Sequence, residues 1–262
     1  MPWMCLERCN GTDASIAANL HQITALQPLV TDVAFERFNL GPRSALVVNN
    51  FTKVEAKLEG VGLWAMISSC EACLQYPYPP EFITWMRQAF SNPQPLIDAI
   101  ISACKQLNFT GVNVDWEPVQ SSKYPITAND AQDYAAFLSK LSTAMHSEGF
   151  QVGVDVATWS PLWNFTLLAN SGIDRACLMS TYTDDWPAFQ RILSEAVDAF
   201  LPGQLVVGLE TVQPSNNQPY NASQLTERFD MIQSLGLRHI GVWKSPIPSD
   251  WVPYLTSWSA TM

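Results

Sequence analysis

The chain has 262 residues, 47% hydrophobic and 11% aromatic, enough for a large core and too apolar for a disordered chain. Its formal net charge of −10, with 14 Lys and Arg scattered along it, disfavours nucleic acid and anionic membrane as partners. No apolar run approaches the roughly 20 residues of a membrane span.

Short apolar or β-branched runs alternate along the chain with longer stretches of helical period. Strands are expected at residues 3–8, 32–39, 62–68, 110–117, 151–158, 176–183, 204–210 and 239–244. Helices are expected at 14–26, at 80–107 as two helices broken at Asn92-Pro93, and at 128–147, 187–200 and 222–235. Short helices fit 161–169 and 249–257, and 41–59 holds the helix with the weakest period. Eight strands with intervening helices are the pattern of a (β/α)₈ TIM barrel, which runs to about 250 residues as a single domain. The expected fold is therefore one α/β domain over 1–262. A doubly wound sheet would need fewer strands or a second domain, and usually a Gly-rich first turn that does not follow residues 3–8.

Six cysteines, Cys5, Cys9, Cys70, Cys73, Cys104 and Cys177, and five Asn-x-Ser/Thr sequons beginning at Asn10, Asn50, Asn108, Asn164 and Asn221 bear on location. Fourteen Asn with about 15% Ser plus Thr would give roughly two sequons by chance. The excess and the even cysteine count point to a secreted or lysosomal/vacuolar glycoprotein with disulfides. Met1-Pro2-Trp3 reads as a mature start. The spacings Cys5-x₃-Cys9 and Cys70-x₂-Cys73 would also suit a structural zinc, and buried free thiols are the third possibility. No cofactor, and no metal in a site, is expected.

Residues 108–119 read NFTGVNVDWEPV. In a strand, Val112, Val114 and Trp116 share one face and Asn113, Asp115 and Glu117 the other. In an open sheet the polar row would face water. Fourth among eight barrel strands, it climbs the interior towards the carboxyl-terminal mouth, where barrel enzymes work. An ionised Asp there is costly unless paired or hydrogen-bonded. Two close carboxyls interact, so that the lower keeps a proton and the upper acquires a raised pKa, suited to protonating a leaving oxygen.

Other strand ends add companions. Tyr182 offers a phenol to a carbonyl or amide, and Trp243 a flat face to a sugar ring. Asp184, Trp159, Trp186 and Glu210 also fall at or just past strand ends, and these four are expected, with Trp243 and Asn113, to touch substrate. Each has a plainer reading: Glu117 as a helix cap, Asp115 as a satisfied structural acid, and the aromatics as packing. Glu7 and Glu36 are strand acids beside Arg8 and Arg37 and are expected to pair. His21, His146 and His239 are scattered, which speaks against a histidine site.

These residues resemble glycoside hydrolase family 18, the chitinases and endo-β-N-acetylglucosaminidases, whose fourth barrel strand carries Asp-x-x-Asp-x-Asp-x-Glu. Here it reads Thr110-Gly-Val-Asn-Val-Asp-Trp-Glu117, so Asp115 and Glu117 match while Thr110 and Asn113 replace the first two acids. The family's Met-x-Tyr-Asp is met in part, since Thr183 follows Tyr182 and Asp184 comes one later; Trp243 matches the terminal Trp. The resemblance implies substrate-assisted retaining hydrolysis, outside the two-carboxylate scheme. Glu117 would protonate the glycosidic oxygen, Asp115 orient the substrate acetamido group, Tyr182 hydrogen-bond it, and Trp243 floor the reactive sugar. Asn113 for Asp would make Asp115 easier to ionise. Residues 211–238 hold one loop and one helix, with no large insertion between the seventh and eighth strands, which implies a shallow cleft and endo-type cleavage.

The implied ligand is an N-acetylglucosamine-containing oligosaccharide or polysaccharide, the implied protein a monomer. Two alternatives stand beside it. In one, Glu117 and Glu210, about 5 Å apart, form a two-carboxylate retaining pair, although the Asn usual before the fourth-strand Glu is Trp116 here. In the other, the chain is a non-catalytic chitin-binding lectin, which retention of Glu117 opposes.

Overall fold

The computed structural model describes residues 1–4, 12–48, 58–69 and 80–261. Short polar side chains start most of the helices. After β1 (Trp3–Met4), Thr12 opens α1 (Asp13–Ala25): its hydroxyl accepts from Ser15 N–H while the Ser15 hydroxyl accepts from Thr12 N–H, a reciprocal cap. β2 (Asp32–Leu40), β3 (Leu46–Val48) and β4 (Gly62–Ser68) follow, then α2 (Phe82–Ser91) and α3 (Gln94–Leu107), separated at Asn92-Pro93 as expected. Asn108, left-handed at φ 56°, stops α3 and turns the chain into β5 (Gly111–Asp115). Thr127 and Asp130 cap α4 (Ala128–Ser147), and Arg87 of α2 fixes Asp130 with bonds of 2.6 and 2.9 Å. β6 (Gln151–Val156), α5 (Phe165–Ala169), β7 (Arg175–Leu178), α6 (Trp186–Ala199), β8 (Leu205–Glu210), α7 (Ala222–Ser234), β9 (His239–Trp243) and α8 (Val252–Ser259) complete the chain.

The parallel strands pair in the order β1-β2-β4-β5-β6-β7-β8-β9. A parallel bridge from Pro2 to Val242, with Val242 N–H donating to Met1 O and Ser245 N–H to Trp3 O, joins the last strand to the first. The sheet is thus a (β/α)₈ barrel, as expected. Outward residues such as Val33, Phe35, Val112, Val114, Val152 and Val154 form the core shared with the helices. A second cluster, Trp3, Ala34, Trp64, Met66, Cys177 and Val206, fills the interior, with Trp243 packed on its edge.

At the amino-terminal end the interior is closed by charge. Asp32 Oδ2 meets Arg175 Nη1 at 3.0 Å, both side chains being less than a seventh exposed. Its Oδ1 accepts the Trp64 indole N–H at 2.9 Å, and the guanidinium lies 4.6 Å from the Trp64 ring centre. Burial alone would raise the Asp32 carboxyl, but Arg175 and the bonds from Thr31 and Trp64 outweigh it and hold it below the ordinary range.

Several sequence expectations need correction. The expected helix at 41–59 is instead, over its described part, a 3₁₀ turn at Pro42–Ser44 and β3, antiparallel to β2. Pro42 limits the first residues to a turn, and Leu46-Val47-Val48 prefers the extended backbone against β2. The strand expected over 110–117 pairs only through Asp115, because the chain turns to bury Trp116 against α4, 5.9 Å from Tyr134 and 5.3 Å from Phe137 between ring centres. The strand expected over 176–183 yields after Leu178 to a 3₁₀ turn, Met179–Thr181. Between β8 and β9 there is one loop and one helix, as expected. Cys104 and Cys177 are free and buried; Cys5, Cys9, Cys70 and Cys73, with Glu7, Arg8, Asn10 and Asn50, lie outside the described residues. No helix among the described residues is long and apolar enough to cross a membrane.

Arg175→Met should destabilise the barrel by about 3–5 kcal/mol in urea denaturation at neutral pH, because it strands a buried carboxylate. Adding Asp32→Asn should recover most of that loss. The depressed Asp32 carboxyl contributes stability fully present above its unfolded pKa of about 3.9 and lost as pH falls through the lower folded value. The wild-type advantage over the double variant should therefore fade in acid below about pH 4.

Candidate active site

The mouth of the barrel is built from the end of β5 outward. Asp115 is 8% exposed, and Ser68 at the end of β4 places its hydroxyl 3.4 Å from Asp115 Oδ2. The next residue, Ser69, stitches the turn that follows. Its hydroxyl donates to Asp115 O at 3.2 Å and accepts from Glu117 N–H at 2.7 Å. Glu117 thus leaves the strand on a fixed backbone and is half-buried two residues past Asp115, where β5 ends. Asn113, expected to touch substrate, is instead fully buried; its amide donates to Asp155 Oδ2 at 2.7 Å.

Tyr182 follows the 3₁₀ turn after β7. The Thr181 hydroxyl, 2.7 Å from both Leu178 O and Gly208 O, holds that turn against β8. Gly208 supplies the space for the ring: a Cβ there would lie 2.6 Å from Tyr182 Cε1 and 2.3 Å from Leu178 O. Loss of hydration pushes the Tyr182 phenol well above its usual pKa, and the charges of Asp155, Cys177, Asp115 and Glu117 add to the rise. Asp115, Glu117 and Tyr182 therefore share one electrostatic environment, with the phenol protonated and able to donate.

The segment after Tyr182 is tied down from α7. Arg228, 2% exposed, donates to Thr183 O at 2.7 Å and to Gln224 O at 3.0 Å. Its guanidinium sits among three rings, 4.6 Å from Tyr220, 5.2 Å from Phe189 and 5.8 Å from Trp186. Trp186, stacked on Phe189 at 5.4 Å, is part of this box. Asp184 accepts from the Ser215 hydroxyl, joining the loops after β7 and β8.

Glu210 ends β8 beside Trp243 at the end of β9, and the Trp243–Lys244 peptide is cis. Burial raises the Glu210 carboxyl, opposed by Lys244. The charges of Glu210 and Asp184 both reach Tyr220. Trp159, past β6, is 53% exposed and stands edge-on to Trp163 at 5.4 Å, an aromatic face open to a ligand. Glu36 is buried within the barrel. Among the described residues no group of three or more His, Cys, Asp or Glu is placed to hold a metal ion.

Sequence reasoning did not single out Ser68, Ser69, Asp155, Gly208 or Arg228. Asp155 carries the same signal as Asp115, an acid on the inward face of an alternating Val-Gly-Val-Asp-Val run. The others act through contacts between strands or helices far apart in sequence.

No protein-family model and no curated protein matches the chain. Among solved structures it is similar to a chitinase from Chromobacterium violaceum, at 13% identity over 95% of this chain and 96% of that one, with a TM-score of 0.76. A class V chitinase from Pseudomonas fluorescens shares 15% identity over 98% of each chain, TM-score 0.76. A Group IV chitinase from Ostrinia furnacalis, solved in complex with allosamidin, shares 13% identity over 99% of this chain and 97% of that one, TM-score 0.71. The chain thus has the fold of the chitinases from end to end, and the resemblance to glycoside hydrolase family 18 holds at the level of that fold.

Proposed function

We propose that the chain is a glycoside hydrolase that cleaves β-linked N-acetylglucosamine glycans, in chitin, chito-oligosaccharides or the N-glycan core, by substrate-assisted retention. One observation carries this reading: Glu117 is half-buried just past β5, Asp115 is buried at the end of that strand, and the Tyr182 phenol lies in the field of both. Glu117 donates its proton to the glycosidic oxygen as the bond to the anomeric carbon breaks, and then takes a proton from the incoming water. The substrate's own acetamido oxygen attacks the anomeric carbon. Asp115 stabilises the positive charge that develops on that group, and Tyr182 donates a hydrogen bond to it. Trp243 lies under the reactive sugar and Trp159 offers an outlying platform. Export belongs to the same proposal: Asn108, Asn164 and Asn221 are all exposed.

The two-carboxylate alternative assigns the nucleophile to Glu210. The Asn usual in that scheme before the fourth-strand Glu is Trp116 here, buried against α4, so the substrate-assisted reading is preferred.

On chromogenic chito-oligosaccharides, Glu117→Gln should lower kcat by about 10²–10⁴-fold, while Glu210→Gln stays active and a thiazoline mimic of the acetamido intermediate inhibits. Loss of activity in Glu210→Gln without thiazoline inhibition would replace this mechanism with the two-carboxylate one, and binding without turnover across a broad glycan panel would leave a lectin. Gly208→Ala should displace the Tyr182 ring and reduce kcat about as far as Tyr182→Phe does, read by steady-state kinetics alongside circular dichroism. Trp159→Ala should raise KM for long oligosaccharides with kcat little changed, the mark of lost uniform binding.

A further inference from the structure

Asp155 sits on β6 facing the barrel interior, 3% exposed. Its Oδ2 accepts the Asn113 amide at 2.7 Å, and its Oδ1 accepts no N–H or O–H among the described residues. Cys177, its neighbour in register on β7, places its thiol against the carboxyl and 3.9 Å from Asn113 Oδ1. On β6 itself, a Cβ at Gly153 would lie 2.8 Å from that same Oδ1. The Asn113 amide is thus boxed by Gly153, Asp155 and Cys177, directly below Asp115 on its own strand.

Among the described residues, the titratable groups that face Asp155 are Glu117 past β5, Cys177 on β7, Tyr182 past β7 and Tyr134 on α4; Asp115 acts on the same two tyrosines. None is a cation. A carboxylate with neither water nor a counter-ion is among the costliest groups to bury, and it neutralises instead. Burial pushes the Asp155 carboxyl up to about 8; the Asn113 bond opposes this, the Glu117 charge adds to it, and the Cys177 contact opposes it again.

We propose that Asp155 works as an uncharged carboxylic acid, a positioning residue that holds the Asn113 amide and keeps a neutral layer beneath Asp115 and Glu117. Only its consequence for turnover rests on the glycosidase reading above. A third negative charge under the two acids would hinder ionisation of Asp115, which has to meet the positive charge developing on the acetamido group, and an unheld amide at Asn113 would release the layer that supports Asp115.

Two variants test this. Asp155→Asn keeps an acceptor for Asn113 and no charge, so kcat should stay near wild type. Asp155→Leu fills the space but cannot hold the amide, and should lose about 10–100-fold in kcat with KM little changed. Loss of activity in Asp155→Asn on the scale of Glu117→Gln would show that the carboxylate itself is needed and would overturn the proposal. A second readout needs no turnover. The folded protein binds the Asp155 proton more tightly than the unfolded chain, so wild type should lose stability as pH rises from about 4 towards about 8. Asp155→Asn escapes that loss, and its Tm advantage should widen over the same range. Parallel Tm profiles would mean that Asp155 is already ionised, and the proposal would fall. If wild type cleaves no glycan, the glycosidase reading fails, and the Tm comparison still decides the protonation of Asp155.

Discussion

The interior of a parallel barrel offers a carboxyl group almost no water, and the inward acids Asp32, Asp155 and Asp115 are each placed by what replaces that water. At the amino-terminal end Asp32 receives a guanidinium, an indole N–H and a hydroxyl, and stays charged. In the middle, Asp155 has an amide and a thiol and remains neutral. Higher still, Asp115 meets the Ser68 hydroxyl, and Glu117 escapes the problem by reaching the mouth. The sequence of environments up the barrel is ion pair, neutral acid, hydrogen-bonded acid and half-hydrated acid. The upper end is where these acids come nearest to solvent, since Asp155 is 3% exposed and Glu117 half-buried.

The groups at the mouth are held by neighbouring elements more than by their own strands. Ser69, just past β4, fixes the backbone on which Glu117 leaves β5. Gly208 of β8 admits the Tyr182 ring, and Thr181 ties the turn that carries it to the Gly208 carbonyl. Arg228 reaches from α7 to the carbonyl of Thr183. Each functional side chain is thereby held by an element other than its own, as pre-organisation in an active site requires.

Much of this was legible in the sequence, for reasons that also mark its limits. The alternation of β5 and the count of eight strands placed Asp115 and Glu117 inside a barrel, because both follow from local periodicity. Alternation identifies a face but not the end of pairing, so the turns after Asp115 and Leu178 were hidden in strand-like patterns that continue beyond the sheet. The segment after Leu40 has helical length without helical punctuation, and the contacts with β2 that make it a strand lie outside any local window. The fate of Asn113 could not be read from β5 alone. Its partner is 42 residues away, and only the register of β5 with β6 brings the two strands together.

The glycines of the barrel carry a consequence for how this chain could have diverged. Gly208 is opposed by the Tyr182 ring, Gly241 by the Trp3 ring, and Gly153 by the Asn113 amide and the Trp64 ring; in each pair an added Cβ would collide with the larger side chain. Such pairs divide a fixed volume between two strands. At Gly241 and Gly153, where the nearest atoms belong to side chains, a larger residue is accommodated only where its opposite becomes smaller, so these positions should change together among related barrels. Gly208 is held more tightly still, because its added Cβ would also meet the Leu178 carbonyl, so a smaller residue in place of Tyr182 would not make room for it.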